Sequence, residues 1–249
     1  MDRFEGKSVL LTGAGSGLGR ATAIRLTAEG ANVFGVDRSA DGLNATAALV
    51  ADGAGSFTAR VGDVSDESDV IAAVDAASKH LGGIDVLINV AGIQRTTPLA
   101  TITVADMQEL FAVNTVGTLL YCREAAPHLP DGTGVIVNIA STAGSKGHPY
   151  MSAYAASKGA VLALTQTLAA ELAPRGIRVV AISPGGVDTP LTANVTFPDG
   201  ADRSYFARVL PLLGFGKPED IAAAIAFAAS SDARYWTGSE LRIDGGSHL

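Results

Sequence analysis

The chain has 249 residues, which is enough for one large α/β domain with a buried core. Its formal net charge is −7 and it contains no basic cluster, so a nucleic-acid partner is not expected. Apolar residues make up 47% of the chain, yet no unbroken apolar run approaches the ~18 residues of a membrane helix, and the first residues lack the apolar core of a signal peptide. The single cysteine, Cys122, permits no intramolecular disulfide, which favours a reducing, cytoplasmic setting.

Strand and helix patterns alternate along the whole chain. The predicted strands are residues 8–12, 32–37, 56–61, 85–89, 135–139, 178–183 and 240–243. The predicted helices are residues 17–29, 40–51, 66–81, 104–129, 152–173 and 218–230. Strict alternation with short loops predicts a doubly wound parallel sheet with helices on both faces, in a single domain that spans residues 1–249.

A glycine-rich turn follows the first predicted strand. Residues 12–19 read Thr-Gly-Ala-Gly-Ser-Gly-Leu-Gly and lead into the first predicted helix. Glycines allow the backbone to approach a pyrophosphate closely, and a helix N-terminus supplies free N–H groups. The second strand ends in Asp37, whose carboxylate can accept hydrogen bonds from the ribose hydroxyls of an adenosine. Such a turn also occurs as a plain loop, but the turn followed by this strand predicts dinucleotide binding.

Further along the chain, Tyr154 and Lys158 stand four residues apart, with Ser141 thirteen residues upstream of the tyrosine. Four residues are about one helical turn, so the phenol and the ammonium lie on one helix face. A nearby ammonium is expected to lower the pKa of the phenol from about 10 toward the range of general acid–base catalysis. The Ser141 hydroxyl could hold the oxygen whose proton moves. The pair alone is equally consistent with an exposed surface helix, but in this context it suits proton transfer to or from an alcohol or a ketone.

Together these residues resemble the short-chain dehydrogenase/reductase family in its roughly 250-residue form. The resemblance covers essentially the whole chain and adds Asn-Val-Ala-Gly at 89–92, Pro-Gly-Gly-Val-Asp-Thr at 184–189 and Asp-Gly-Gly at 244–246. One position departs from the family pattern, because Val90 stands where the family has a second asparagine. The resemblance implies a Rossmann-type fold and an active-site tetrad of Asn114, Ser141, Tyr154 and Lys158. The cofactor-binding positions that it implies are Gly13, Gly15, Ser16, Gly17, Leu18, Gly19, Asp37, Arg38, Asp63, Val64, Asn89, Ala91, Gly92, Tyr154, Lys158, Pro184, Gly185, Val187 and Thr189.

Residues 190–216 form the one long stretch without clear periodicity. This stretch directly follows the predicted cofactor segment, which favours a lid over the substrate rather than a merely variable surface loop. Its apolar residues are Leu191, Phe197, Tyr205, Phe206, Leu210 and Leu212. The candidate substrate contacts are Gln94, Ala143, His148, Tyr150, Gly185 and Leu191. Tyr150 could compete with Tyr154 for the acid–base role, but only Tyr154 has a lysine four residues further on.

These features predict an NAD-dependent enzyme that interconverts a small or medium hydrophobic secondary alcohol and its ketone. Asp37 would repel the 2′-phosphate of NADP, although Arg38 is available to bind it. Two alternatives remain open: an NADPH-dependent 3-oxoacyl-thioester reductase, and a catalytically silent dinucleotide-binding protein. The four histidines show no metal-ligand spacing, so no metal site is expected. The resemblance implies a homo-oligomer, commonly a tetramer, and the long helices at 104–129 and 152–173 could pair across subunits.

Overall fold

The sheet of the protein contains seven parallel strands in the described part of the chain. The computed structural model describes residues 3–51, 53–193, 198 and 201–249, without the side chains of Arg203 and Arg208. The strands are β1 (Ser8–Thr12), β2 (Asn32–Asp37), β3 (Ser56–Val61), β4 (Val86–Asn89), β5 (Val135–Ile139), β6 (Arg178–Pro184) and β7 (Glu240–Ile243). Their spatial order is β3-β2-β1-β4-β5-β6-β7.

Helices cover both faces of this sheet. They are α1 (Gly17–Ala28), α2 (Ala40–Val50), α3 (Glu67–Leu81), α4 (Val104–Phe111), α5 (Gly117–Ala125), α6 (Ser152–Leu172), α7 (Pro190–Ala193) and α8 (Pro218–Ala229). One core cluster joins α1, α2 and α8 to one face, and a second joins α3, α5 and α6 to the other. The predicted Rossmann-type, doubly wound parallel sheet is confirmed, and most predicted boundaries agree with the observed ones within one or two residues.

The strand order reverses direction beside β1, which pairs with β2 on one side and with β4 on the other. From β1 the chain first builds outward to β2 and β3, and then returns to continue from β4 to β7. At such a reversal the loops leaving neighbouring strands diverge in opposite directions and open a crevice at the carboxyl edge of the sheet. The fold therefore places the loops after β1, β2, β4, β5 and β6 around one crevice.

The predicted single helix over residues 104–129 is wrong in one respect. A π-helical turn, Ala112–Val116, separates α4 from α5, and a 3₁₀ turn, Ala126–His128, follows α5. The side chain of Asn114 lies within the π turn, where its Oδ1 accepts a hydrogen bond from Ile93 N at 2.8 Å and its Nδ2 donates to Ile93 O at 3.0 Å. Because π turns keep nearly the helical residue spacing, the hydrophobic pattern does not reveal them.

A polar network lies between the central strands and the helices that cover them. Asn89 and Asn138 are directly opposite each other on β4 and β5, and Asn89 Nδ2 donates to Asn138 Oδ1 at 2.9 Å. Asn138 Nδ2 then donates to Thr165 Oγ1 on α6 at 3.0 Å. Cys122 contacts the network from α5, and burial raises the pKa of its thiol to about 12. Cys122 is thus a buried packing residue.

Among the residues that the structure describes, none of the helices is both long enough and apolar enough to cross a bilayer.

Candidate active site

A cleft of about 580 Å³ opens at the carboxyl edge of the sheet, beside the reversal point. Most of the predicted site residues line it. They are Gly13, Ser16, Gly17, Leu18, Gly19, Asp37, Arg38, Asp63, Val64, Ala91, Gly92, Gln94, Ser141, Ala143, His148, Tyr154, Lys158, Pro184, Gly185, Val187, Thr189 and Leu191. Four predicted residues, Gly15, Asn89, Asn114 and Tyr150, are not among the described lining residues. The cleft therefore brings the glycine-rich turn and the Tyr154–Lys158 pair into one space.

At one end of the cleft, the glycine-rich turn packs against Asp37. The backbone N of Gly15 donates to Asp37 Oδ2 at 2.9 Å, and a Cβ at Gly15 would lie only 2.8 Å from Asp37 Cγ. The turn can therefore meet this carboxylate only where a side chain is absent. Asp37 Oδ1 accepts from Ser39 N at 2.9 Å, which fixes the carboxylate at the end of β2, beside the exposed Arg38.

The start of α1 also suits an anionic group. Ser16 occupies the N-cap position, but its side chain makes no capping hydrogen bond to any described residue. The first turn, Gly17 to Gly19, lines the cleft, and the positive end of the helix dipole lies there. Gly19 lies directly against the carbonyl oxygen of Gly13, where any Cβ would collide. These features fit the pyrophosphate of a dinucleotide.

Beyond β3, Asp63 and Val64 line the same end of the cleft. Asp63 Oδ1 accepts from Ser65 N at 2.8 Å and from Ser65 Oγ at 2.6 Å, which holds the carboxylate in an Asx-type turn. Val64 is buried and supplies an apolar surface beside this carboxylate. A polar group next to an apolar wall is suited to the flat ring of an adenine.

The Tyr154 hydroxyl lies against Ser141, and its side chain is only 6% exposed. Burial raises the pKa of Tyr154, and the hydrogen bond with Ser141 opposes that shift. The expected lowering of this pKa by Lys158 does not appear among these two causes and stays a prediction. Lys158 Nζ donates to the backbone oxygen of Ile139 at 2.8 Å.

Lys158 is itself a buried cation, with 5% of its surface exposed. Burial lowers the pKa of its ammonium to about 8, because the charged form loses hydration. The Ile139 carbonyl is the single hydrogen-bond acceptor that the described residues provide to it. Lys158 faces the cleft, so a polar ligand there could provide the further acceptors that an ammonium requires.

Asn114 is completely buried behind the Tyr154–Lys158 pair and does not itself line the cleft. Its Nδ2 donates to Ser157 Oγ at 3.0 Å, and Ser157 Oγ donates to the backbone oxygen of Tyr154 at 2.7 Å. The chain Asn114–Ser157–Tyr154 connects the π turn to α6, the helix that carries Tyr154 and Lys158. The sequence contains no separate signal for Ser157, which appears there only as part of a helical pattern.

The other end of the cleft is mostly apolar. Its walls combine residues of the loop after β4, the loop before α6 and the segment after α7. The described residues there are Ile93, Gln94, Val113, Ala143, His148, Met151, Leu191, Phe206, Val209, Leu210, Pro211 and Phe215. Gln94 and His148 are the polar side chains within this set. This end of the cleft therefore suits an apolar ligand.

The predicted lid over residues 190–216 is only partly described. Leu191, Phe206 and Leu210 line the cleft as predicted, whereas Tyr205 and Leu212 are 57% and 72% exposed. Phe197 lies outside the described residues. The described parts contain α7 and a 3₁₀ turn, Arg203–Arg208, that the sequence pattern does not predict.

The Tyr150 side chain is not where the sequence places it. Its hydroxyl accepts a hydrogen bond from Asp202 N at 3.1 Å, and its ring stacks on Phe206 with 5.9 Å between the centroids. These contacts hold the Tyr150 side chain against the segment after α7, and it is not among the described residues that line the cleft, which favours Tyr154 for the acid–base role. His148 does line the cleft, and its Nε2 lies 3.1 Å from Nε2 of His248.

Comparison with known proteins identifies the family. Residues 13–248 match a family model described as enoyl-(acyl carrier protein) reductase. The chain is 41% identical over 251 residues to 3beta-hydroxysteroid dehydrogenase 1 of Eggerthella lenta, and the match covers 100% of this chain and 96% of that relative. This chain belongs to the short-chain dehydrogenase/reductase family.

Two solved structures of this dehydrogenase/reductase family are also similar. A short chain dehydrogenase from Burkholderia cenocepacia in complex with NADP has a TM-score of 0.90 and 35% identity, covering 99% of this chain and 100% of that chain. The 3-ketoacyl-(acyl-carrier-protein) reductase of Brucella melitensis complexed with NADH has a TM-score of 0.87 and 36% identity, covering 98% of this chain and 99% of that chain. The protein is therefore an oxidoreductase of a family that uses a nicotinamide dinucleotide. Because these neighbours carry different cofactors, the choice between the two must be argued from this chain's own residues.

At Val90, where the chain departs from the family pattern, the loop after β4 is held through its backbone. The backbone N atoms of Val90 and Ala91 donate to Thr12 Oγ1 at 3.1 and 3.2 Å. Thr12 thus connects the end of β1 to the loop after β4 through backbone groups, which a valine side chain leaves undisturbed. Sequence reasoning assigned Thr12 to the cofactor turn and missed this second role.

Proposed function

We propose that this dehydrogenase/reductase interconverts a secondary alcohol and a ketone with NAD(H) as its cofactor and Tyr154 as the acid/base. One observation carries the proposal: Ser141, Tyr154 and Lys158 line the same cleft as Asp37 and the glycine-rich turn. A dinucleotide with its adenosine at Asp37 would extend toward Tyr154, and the apolar end of the cleft would remain for the substrate. The nicotinamide, when bound, accepts or donates the hydride.

The protein residues then manage the proton and the charge on the substrate oxygen. In oxidation Tyr154 takes the alcohol proton as the C–H bond is lost as hydride, and in reduction it returns the proton to the same oxygen. Ser141 donates to the substrate oxygen and stabilises the charge that develops there. Lys158 holds a cation beside this site, and Asn114, by family resemblance, would hold a water that connects Lys158 to solvent.

The preference for NAD(H) over NADP(H) is proposed from Asp37. Its carboxylate is fixed by the N–H groups of Gly15 and Ser39 at the place where the adenosine ribose would lie. A ribose with both hydroxyls can donate to a carboxylate, whereas a 2′-phosphate would bring a second negative charge against it. Arg38 is exposed and can turn toward solvent, so its charge offsets this repulsion only weakly.

The test is a comparison of kcat/KM for NAD⁺ and NADP⁺ over a panel of secondary alcohols, with the rate measured from the absorbance of the NADH or NADPH formed. We expect NAD⁺ to be preferred by more than tenfold, or at least ~1.4 kcal/mol. Asp37→Asn keeps the size of the side chain and should reduce that preference, while Asp75→Asn on α3 should leave it unchanged. Equal or better kcat/KM with NADP⁺ in the unmodified protein would overturn the assignment.

The same assay separates the two alternatives. A 3-oxoacyl-thioester reductase would turn over an acetoacetyl thioester with NADPH faster than any simple ketone with NADH. A silent dinucleotide-binding protein would bind NADH, measured by fluorescence, without turnover of any panel member. We also propose one domain over residues 1–249, a cytoplasmic setting and a homo-oligomer, and we expect no metal requirement.

A further inference from the structure

Tyr150 lies where two loops and the covering segment meet. Its backbone oxygen accepts from Thr97 N at 2.7 Å, which joins the loop before α6 to the loop after β4. Its side chain reaches the covering segment, here residues 201–211, through the bond from Asp202 N and the stack on Phe206. One residue therefore contacts all three segments that surround the apolar end of the cleft.

The backbone of Tyr150 shows that this position is not determined by local preference. Its φ is +61°, in the left-handed region that residues with side chains adopt uncommonly and that glycine adopts readily. A glycine there would be favoured if only the path of the loop mattered. The tyrosine is held in that conformation by its contacts with the covering segment and with Thr97.

The part of the covering segment that Tyr150 holds forms the cleft wall. The 3₁₀ turn Arg203–Arg208 begins at Asp202, whose side chain accepts from Ser204 N at 2.9 Å. The Tyr150 hydroxyl binds the backbone of the residue at which this turn begins. Phe206, which the Tyr150 ring stacks against at an interplanar angle of 22°, lines the cleft together with Val209 and Leu210.

We propose that Tyr150 is a positioning residue that clamps the covering segment over the substrate and so sets how tightly the apolar end of the cleft holds its ligand. The clamp is connected to the acid/base as well, because Met151, the next residue, accepts from Ala155 N at 2.7 Å in the first turn of α6. Tyr150 is thus connected through the next residue to the start of the helix that carries Tyr154. The expected effect on catalysis rests on the proposed function. The contacts by which Tyr150 holds the covering segment do not depend on it.

Two variants separate the contacts of Tyr150 without endangering the fold. Tyr150→Phe removes the hydroxyl and keeps the ring on Phe206. Tyr150→Gly removes the whole clamp and suits the positive φ, so the loop is not strained by the change. Tyr235→Phe is the matched control, because Tyr235 is fully exposed and is not among the described residues that line the cleft.

The first measurement is amide hydrogen exchange of the covering segment in the cofactor-free protein. We expect exchange over residues 201–210 to accelerate at least fivefold in Tyr150→Gly and, at Asp202, in Tyr150→Phe. Exchange in α8 should not change in either variant. Unchanged exchange over residues 201–210 in Tyr150→Gly would overturn the clamp, whatever the enzyme activity.

The second measurement is steady-state kinetics with a bulky and a small secondary alcohol. We expect Tyr150→Gly to raise KM for the bulky alcohol at least tenfold with kcat within about threefold of the unmodified enzyme, and Tyr150→Phe to show a smaller rise. A fall in kcat at unchanged KM would instead give Tyr150 a chemical role and overturn the proposal. Turnover of no alcohol by the unmodified protein, together with accelerated exchange in Tyr150→Gly, would reject the proposed function and leave the clamp standing.

Discussion

At the scale of single residues, Tyr154 is the side chain on which the proposed chemistry depends. Its hydroxyl moves the proton but contributes little surface to a dinucleotide. We therefore expect Tyr154→Phe to lower kcat by about 10²- to 10⁴-fold and to leave the Kd for NADH nearly unchanged. Stopped-flow or steady-state rates and NADH fluorescence titration measure the two quantities. Retained activity in this variant would remove Tyr154 from the mechanism.

The Tyr154→Phe variant also allows the ionisation of the Tyr154 hydroxyl to be measured. Burial raises the pKa of Tyr154, so its phenolate should form at a higher pH than that of an ordinary tyrosine in the cofactor-free protein. The difference in ultraviolet absorbance between the unmodified protein and Tyr154→Phe isolates that phenolate from the other tyrosines. A phenolate signal near neutral pH would show that Lys158 acts on Tyr154 even while it donates to Ile139.

Sequence patterns predict residues that chemistry requires by type, and miss those that act through geometry. Tyr154, Lys158 and Asp37 were predicted because few other side chains can perform their tasks at that spacing. Tyr150 was assigned to the cleft because it lies between Ser141 and Tyr154 in the chain, but the left-handed backbone at this position turns its ring away. No local signal announces such a turn when the residue is not glycine.

At the scale of elements, the loop before α6 is held from a second side by the histidine pair. Burial and the neighbouring His248 lower the pKa of His148 to about 4. Burial also lowers the pKa of His248; the nearby Asp244 opposes that shift, and Lys146 and Arg242 add to it. A proton on His148 would place a cation in a poorly hydrated position beside a second imidazole.

We expect this loop to make the fold sensitive to acid. Because the folded-state pKa of His148 lies below the ordinary value of 6.5, the unfolded chain binds this proton more readily between about pH 6.5 and 4. Stability should therefore be fully present above pH 6.5 and fall as the pH is lowered through that window. Urea unfolding between pH 7 and pH 4.5 measures it, with a smaller loss expected in His148→Leu.

The control for that measurement is His128→Asn, which replaces an exposed histidine whose Nδ1 lies 3.0 Å from Ser78 Oγ. This variant should keep the pH dependence of the unmodified protein. An equal loss of stability in His148→Leu would assign the acid sensitivity to other groups.

Element positions were predicted more fully than element details. Strand and helix order followed from alternating apolar runs, because a buried parallel sheet needs them. The π turn at Ala112–Val116 was missed; within it Asn114 is bonded to Ile93, and the sequence does not bring these two residues together. Contacts of this kind accompany a change in the local backbone conformation that leaves the hydrophobic pattern of the sequence unchanged.

At the scale of the whole molecule, α4, the π turn and α5 present apolar side chains to solvent. Val104 is 74% exposed, and Met107, Val116 and Leu119 are 39–44% exposed. We expect this surface to be covered by a second copy within a tetramer. Sedimentation should then give a mass about four times the 25.2 kDa of the chain. Leu119→Asp should shift the protein to smaller species, whereas Leu49→Asp on α2 should not; a monomer in the unmodified protein would contradict the expectation.

The amides of Asn89 and Asn138 have a consequence for how the sheet finds its alignment. β4 and β5 are buried on both faces and otherwise consist of valine, leucine and isoleucine, so sliding one strand along the other would still bury apolar side chains. Only in the native register does Asn89 meet Asn138, and only then does Asn138 reach Thr165. A slipped pairing would bury unpaired amides at a cost of about 1–3 kcal/mol each. The network thus favours the native strand register over slipped ones. In that register the ends of β4 and β5 lie at the same level beside the cleft.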